Sequence, residues 1–191
     1  MTQLGFYFDQ SRCIGCYTCS VACKDWHNID AGPVNWRQVK IIENGKFPNL
    51  FLAYLSYSCN HCENPPCIRV CPEQAIVKRK KDGIVIVDRE KCVGTDNCEL
   101  YCLKACPWNC PQFGSEENAK MQKCNFCVDR LEQGQQPICV EACPMYALDW
   151  GTMEDLRKKY GDYVNAVGFT YSNKFNPSVV FKPKNQNKDT Q

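Results

Sequence analysis

The sequence predicts an α+β fold built from short helices and β-hairpins, not from long elements. Three observations point there. Seventeen of the 191 residues are cysteine, and all but Cys110 fall into four groups. Between the groups lie strand pairs joined by turn residues, and only short helical stretches remain. The 44% apolar fraction includes the cysteines, so the hydrocarbon core is modest and something other than side chains must fill part of the interior.

The groups are Cys13, Cys16, Cys19, Cys23; Cys59, Cys62, Cys67, Cys71; Cys92, Cys98, Cys102, Cys106; and Cys124, Cys127, Cys139, Cys143. A disulfide scaffold would want a short secreted chain with an even count. This chain is long, has an odd count, and begins MTQLGFYFDQ with no basic-then-apolar leader. Structural zinc pairs two knuckles across a longer spacer, often with histidine. Only His27 and His61 exist, and the first group packs four thiols into eleven residues. The bacterial iron–sulfur run is C-x2-C-x2-C-x3-C, often closed by proline. Group one matches that spacing, and the other three end in Cys71-Pro72, Cys106-Pro107 and Cys143-Pro144.

The spacing also suggests the pairing. Two-residue gaps wrap a tight loop around three corners of a cluster, with Gly15 letting backbone N–H groups approach sulfur. The three-residue gap spans about one helical turn and points the last thiol at the neighbouring cluster. Four sites follow. Cys13, Cys16 and Cys19 with Cys143 form one outer site, and Cys124, Cys127 and Cys139 with Cys23 form the other. Cys59, Cys62 and Cys67 with Cys106 form one inner site, and Cys92, Cys98 and Cys102 with Cys71 the other. One ferredoxin-like unit thus nests inside another: residues 1–58 plus 115–150 outside, 59–114 inserted, and 151–191 a C-terminal helix and partner-contacting tail.

Group three is irregular, with gaps of five and three where two and two are expected. Two readings stay open. A loop insertion leaves a normal four-iron site; alternatively Cys98 lies off the cluster, leaving a three-iron centre or one completed by Asp96 or Cys110. Cys110 is otherwise a buried bystander. His61, inside Cys59-Asn60-His61-Cys62, is expected to pack or hydrogen-bond beside the cluster, not to ligate it. The four tryptophans are expected in core and interfaces.

The elements follow in order. Arg37 to Glu43 and Leu50 to Tyr57 read as strands around Asn44-Gly45. Ala75 to Arg79 and Ile84 to Asp88 form a second hairpin, with the basic turn Lys78–Lys81 as a solvated tip or a partner dock. Met121 to Gln133 reads as a helix stopped by Gly134. Another runs from N-cap Thr152 to Tyr160, stopped by Gly161. Lys182 to Gln191 has no apolar pattern and is expected to order only against a partner.

A formal charge of +2 gives no basic face for nucleic acid. No apolar run approaches the roughly 18 residues of a membrane span. No dinucleotide fingerprint, P-loop or catalytic triad pattern is present. Four redox centres without a substrate pocket describe a non-catalytic electron carrier. A cytoplasmic protein, or one held to a membrane through a partner, is expected.

The runs C-I-G-C-Y-T-C-S-V-A-C-K-D, S-C-N-H-C-E-N-P-P-C-I-R-V-C-P, A-C-P-W-N-C-P-Q-F and K-C-N-F-C-V-D-R, with A-L-D-W-G-T-M-E-D-L-R-K-K-Y-G-D after group four, carry a resemblance. They resemble the four-cluster iron–sulfur (beta) subunits of the molybdopterin oxidoreductase family, dimethyl sulfoxide reductase above all. The likeness runs from Leu4 to about Pro183. It implies four 4Fe-4S clusters, the Cys92 group being either regular or 3Fe-4S. It implies a large catalytic subunit with a molybdenum or tungsten bis-pterin at the outer sites. From the inner sites electrons would pass to a membrane anchor subunit linked to quinone, or to a soluble carrier. Export beside a partner with a twin-arginine signal is compatible with it. Two alternatives remain: a free-standing polyferredoxin or hydrogenase-type carrier, and a mainly structural cluster subunit of a transhydroxylase-like enzyme.

Overall fold

The computed structural model describes residues 2–185. Alternation along the first strand, β1 (Leu4–Asp9), organises the sheet at its centre. Successive side chains on a strand point to opposite faces. Phe6 and Phe8 turn to one side and enter the main core, while Tyr7 turns to the other. β1 pairs antiparallel with β6 (Leu148–Thr152) and parallel with β7 (Val179–Lys182), giving the order β6-β1-β7. Gly5 permits this: a Cβ there would stand 2.2 Å from Met153 Sδ and 2.5 Å from the Ser178 carbonyl oxygen.

The predicted hairpins form. β2 (Arg37–Asn44) pairs with β3 (Phe51–Ser58), and β4 (Ile76–Lys78) with β5 (Val85–Val87), both antiparallel. Helices are short: α1 (Thr18–Trp26), α2 (Pro66–Arg69), α3 (Tyr101–Ala105), α4 (Val128–Leu131), α5 (Ile138–Glu141) and α6 (Met153–Tyr160). α1 packs against α5, and α2 against α3. α6 caps the Tyr7 face, where Tyr7 and Tyr160 stack 3.6 Å apart. Thr152 caps α6 as expected, its hydroxyl accepting from the Asp155 N–H at 3.1 Å.

Two expectations fail for identifiable reasons. Met121 to Gln133 is not one helix; only Val128–Leu131 is helical. Gln122 exchanges backbone hydrogen bonds with Gln112 at 2.8 and 2.9 Å, and Phe126 and Cys127 take left-handed φ values of 64° and 50°. That segment winds around thiols instead of coiling on its own axis. The start of the expected loose tail is also ordered. Lys182 ends β7 and reaches Asp9 at 3.1 Å, and the Lys184 N–H donates to Gln10 Oε1. The rest of that tail, 186–191, lies outside the described residues.

The cysteines are part of the core. Cys19, Cys59, Cys110, Cys124 and Cys139 sit in the cluster that holds Phe6, Phe8, Phe126, Phe169 and Phe181. A second, smaller core joins Cys67 and Cys102 to Ile76, Val85 and Met121. Among the described residues, no helix is long and apolar enough to cross a membrane.

Candidate metal centres

Each thiol group is shaped by backbone that side chains rarely adopt. α1, α3 and α4 begin after left-handed residues, Tyr17 (φ 62°), Leu100 (φ 52°) and Cys127 (φ 50°). The turn throws the preceding cysteines to one side of the helix start. Gly15 (φ 71°) lies against the ring of Tyr54, and a Cβ would come within 2.4 Å of it. α2 and α5 start after Pro65 and Pro137, whose fixed φ and missing N–H suit a helix entry.

Three hollows of similar size result. One, of about 340 Å³, is lined by Cys13, Cys16, Cys19 and Cys143. A second, of about 350 Å³, is lined by Cys59, Cys62, Cys67, Cys106 and Cys110. A third, of about 410 Å³, is lined by Cys71, Cys92, Cys98 and Cys102. The remaining thiols, Cys23, Cys124, Cys127 and Cys139, are all buried and lie near one another: burial raises the Cys23 pKa, and Cys124, Cys139 and Cys127 add to it. Cys98 stands on its hollow's wall; Asp96 does not, being exposed and tied to Thr95 Oγ1 at 3.0 Å.

The groups form a row. Burial raises Cys19, and Cys139 and Cys143 lie close enough to raise it further. Burial pushes Cys124 up to about 11, against the pull of Arg37, with Cys139 and Cys59 adding to the push. Cys67 is pushed up to about 12 by burial, then by Cys59, Cys106 and Cys102. Cys102 reaches about 12 through burial and then Cys98, Cys71 and Cys92, although the Leu103 N–H pulls it down. The neighbours therefore run from the Cys13 group to the Cys23 group, the Cys59 group and the Cys92 group. The ends of the row are the more open: Cys16 is exposed, and Cys13, Cys143, Cys71, Cys92 and Cys98 are half-buried.

Crowded, buried thiols resist ionising by themselves, so cations that bind them as thiolates must displace protons. Cys106 is the exception. A hydrogen bond from the Cys110 thiol, with backbone N–H groups of Cys110 and Trp108, brings it down to about 6 despite its burial. The proton stays on Cys110, which also lies 3.3 Å from the Ser58 carbonyl oxygen.

Donors around sulfur fit iron–sulfur clusters. Backbone N–H groups reach Cys92 from Met121 (3.4 Å), Cys124 from Phe126 (3.4 Å), Cys143 from Ala147 (3.3 Å) and Cys106 from Cys110 (3.5 Å). Three buried nitrogens have no partner: Arg37 Nε, Asn60 Nδ2 and His61 Nε2. His61 Nδ1 accepts from the Val85 N–H at 3.0 Å, so Nε2 carries the hydrogen. Burial, with Lys123, Lys78 and Arg37, holds His61 neutral. All three orphans are donors beside cysteine groups, and sulfide or thiolate sulfur is the acceptor such donors need. No three His, Cys, Asp or Glu side chains among the described residues converge as a site for one metal ion.

The sequence missed several features. Arg37 and Lys123 looked like surface cations in strand and loop patterns, yet both are buried. Lys123 Nζ donates to the carbonyls of Val85 and Cys124. The basic turn is tied inward: Lys78 Nζ donates to the Cys62 and Glu63 carbonyls at 2.9 Å, and Arg79 and Lys81 reach Glu132 at 3.2 and 3.3 Å.

A 4Fe-4S dicluster domain model matches residues 50–153. The sequence is 42% identical over 197 residues to the iron–sulfur subunit of the anaerobic dimethyl sulfoxide reductase of Escherichia coli (strain K12), covering 99% of this chain and 93% of that protein. It is 36% identical over 175 residues to the iron–sulfur subunit of the sulfite dehydrogenase of Allochromatium vinosum, covering 81% and 71%. To the nitrate-inducible formate dehydrogenase iron–sulfur subunit of E. coli it is 32% identical over 190 residues, covering 90% and 63%.

Proposed function

This protein belongs to the family of iron–sulfur subunits of molybdopterin oxidoreductases, that of anaerobic dimethyl sulfoxide reductase among them, and from that premise we propose that it is the electron-transfer subunit of such a complex. It carries electrons between a molybdenum or tungsten bis-pterin catalytic subunit and a quinone-linked or soluble partner, and performs no catalysis itself. The observation that supports this best is the row of four thiol groups, open at both ends and buried in the middle.

The proposed ligand sets are Cys13, Cys16, Cys19, Cys143; Cys23, Cys124, Cys127, Cys139; Cys59, Cys62, Cys67, Cys106; and Cys71, Cys92, Cys98, Cys102. Cys110 is a hydrogen-bond donor, not a ligand. Bound there, 4Fe-4S clusters supply one-electron redox capacity at each centre. The chain's own residues hold sulfur in place, donate N–H groups to it and keep water from the two middle groups. α1 against α5 and α2 against α3 support two nested ferredoxin-like units, 59–114 inserted between 1–58 and 115–150, with 151–191 appended.

Exposed apolar residues surround the Cys16 end: Ile14 (55% exposed), Val21 (65%) and Tyr146 (78%), beside Tyr17 and Met145. That rim suits the catalytic subunit. The Cys92 end, with Val70, Val77 and Tyr101 exposed, suits the second partner, a membrane anchor or a soluble carrier. Attachment to a membrane then comes through that partner.

Anaerobic purification of the untagged complex, followed by native mass spectrometry and metal and pterin analysis, tests this. The expected result is a stable assembly with a much larger pterin-bearing chain and clusters that cycle between redox states. A lone chain would support a free carrier, and clusters that never change state would support a structural role.

A further inference from the structure

We propose that Arg37 is a fixed countercharge for the two outer cluster sites, raising their reduction potentials above what the same thiols and backbone would set. This inference rests on the ligand sets proposed above. Arg37 opens β2 and is 3% exposed. Among the described residues it makes no ion pair with a carboxylate. Its Nη1 donates to Ser56 Oγ at 3.3 Å and its Nη2 to Ser58 Oγ at 3.0 Å. Its Nε has no partner, and its guanidinium lies 4.7 Å from the Phe6 ring centroid.

Two hydroxyls and an aromatic face do not offset the cost of burying a cation. The missing negative charge is supplied by cysteines. Burial would weaken the cation, but the thiols of Cys139, Cys19, Cys124 and Cys23 outweigh it and hold the charge. Cys19 belongs to one outer set and the other three to its neighbour. Ser56 connects the guanidinium to the first set directly. Its Oγ lies 3.3 Å from Arg37 Nη1 and 3.4 Å from Cys19 Sγ, so it accepts from the arginine and turns its own O–H toward sulfur.

A reduced cluster carries one more negative charge than an oxidised one. A buried cation nearby favours the reduced state, and the effect falls with distance. The outer pair should therefore feel Arg37 far more than the inner pair, which serves as an internal control.

The test is potentiometry with EPR on the intact complex, comparing wild type, Arg37→Met and Arg37→Lys. At a fixed poise, Arg37→Met is expected to lower the reduced-to-oxidised ratio of both outer clusters at least tenfold, about 59 mV for a one-electron couple. The inner clusters should move less than about threefold, and Arg37→Lys should retain most of the wild-type ratio, because it keeps the charge and loses only the planar fork. Unchanged outer potentials, an equal shift in all four clusters, or a lysine variant as displaced as the methionine variant would each overturn the proposal. Outer clusters lost in Arg37→Met but kept in Arg37→Lys would support it; loss in both would overturn it in favour of shape. A wild-type complex without four clusters would instead defeat the functional reading beneath it.

Discussion

The hollow at one end of the row is lined by Cys13, Cys16, Cys19 and Cys143, the first three separated by two-residue gaps; the hollow at the other end takes Cys92, Cys98 and Cys102 from gaps of five and three, with Cys71. Their volumes are nonetheless about 340 and 410 Å³, and each brings four thiols to its wall. The helix that follows each loop starts from a left-handed residue, Tyr17 or Leu100. The extra residues at the Cys92 end bulge outward. The Thr95 N–H donates to the Ala119 carbonyl at 3.1 Å and the Asp96 N–H to Asn118 Oδ1 at 3.2 Å, which satisfies the added backbone without disturbing the wall. Convergence in space, not regular spacing, is what a cluster requires. The ends differ in charge: the buried Arg37 stands near the Cys13 end, whereas the charged residue lining the Cys92 hollow is the exposed Glu73.

The largest effect should come from removing iron. With cysteines inside both main cores, chelation under reducing conditions is expected to abolish cooperative structure at both ends, because cluster binding and folding are one event. Near-UV circular dichroism checks it; a native spectrum after complete iron loss would mean that the hollows stand unaided.

Single ligands come next. Cys16→Ser and Cys98→Ser are each expected to convert one centre to a three-iron cluster, seen as an EPR signal in the oxidised protein. Equal outcomes sharpen the equivalence of the two ends. A silent Cys98→Ser breaks it and returns that end to the alternative ligand sets.

Acid should separate the ends. Burial would raise the Asp9 pKa, but hydrogen bonds from Ser11 and Lys182 hold it below its usual value. A folded-state pKa below the unfolded one gives stability that is present above the unfolded value, about 3.9, and is lost as pH falls through the folded one. Asp9 leads into the Cys13 loop, so below about pH 4 that end should release its cluster before the Cys92 end. Asp9→Asn should cost about 1–3 kcal/mol at neutral pH and flatten that acid limb, followed by cluster absorbance against pH. The smallest effect belongs to Thr152→Ala, far from either comparison. Loss of its bond to the Asp155 N–H should cost about 1 kcal/mol in thermal denaturation with all clusters retained.

Local signals in the sequence were readable where the cause is local. The Asn44-Gly45 turn, the Gly83 turn and the Thr152 cap mark elements that form. The thiol groups stood out because cluster loops need tight cysteine spacing. What escaped was set by distant partners. Leu4–Asp9 becomes a central strand only because Leu148–Thr152 and Val179–Lys182 return to it from the far end of the chain. Met121 to Gln133 has helical composition, but Gln112 and the thiols of Cys124 and Cys127 claim its backbone. The burial of Arg37 and Lys123 leaves no periodic trace, since the anions beside them are cysteines contributed by other segments.

Iron and acid-labile sulfide analysis of the anaerobically isolated complex, with Mössbauer spectra resolving each cluster, tests the central claim most directly. Four filled thiol groups predict about 16 irons per chain, all in four-iron clusters. An iron-free chain that still folds and engages its larger partner would contradict it.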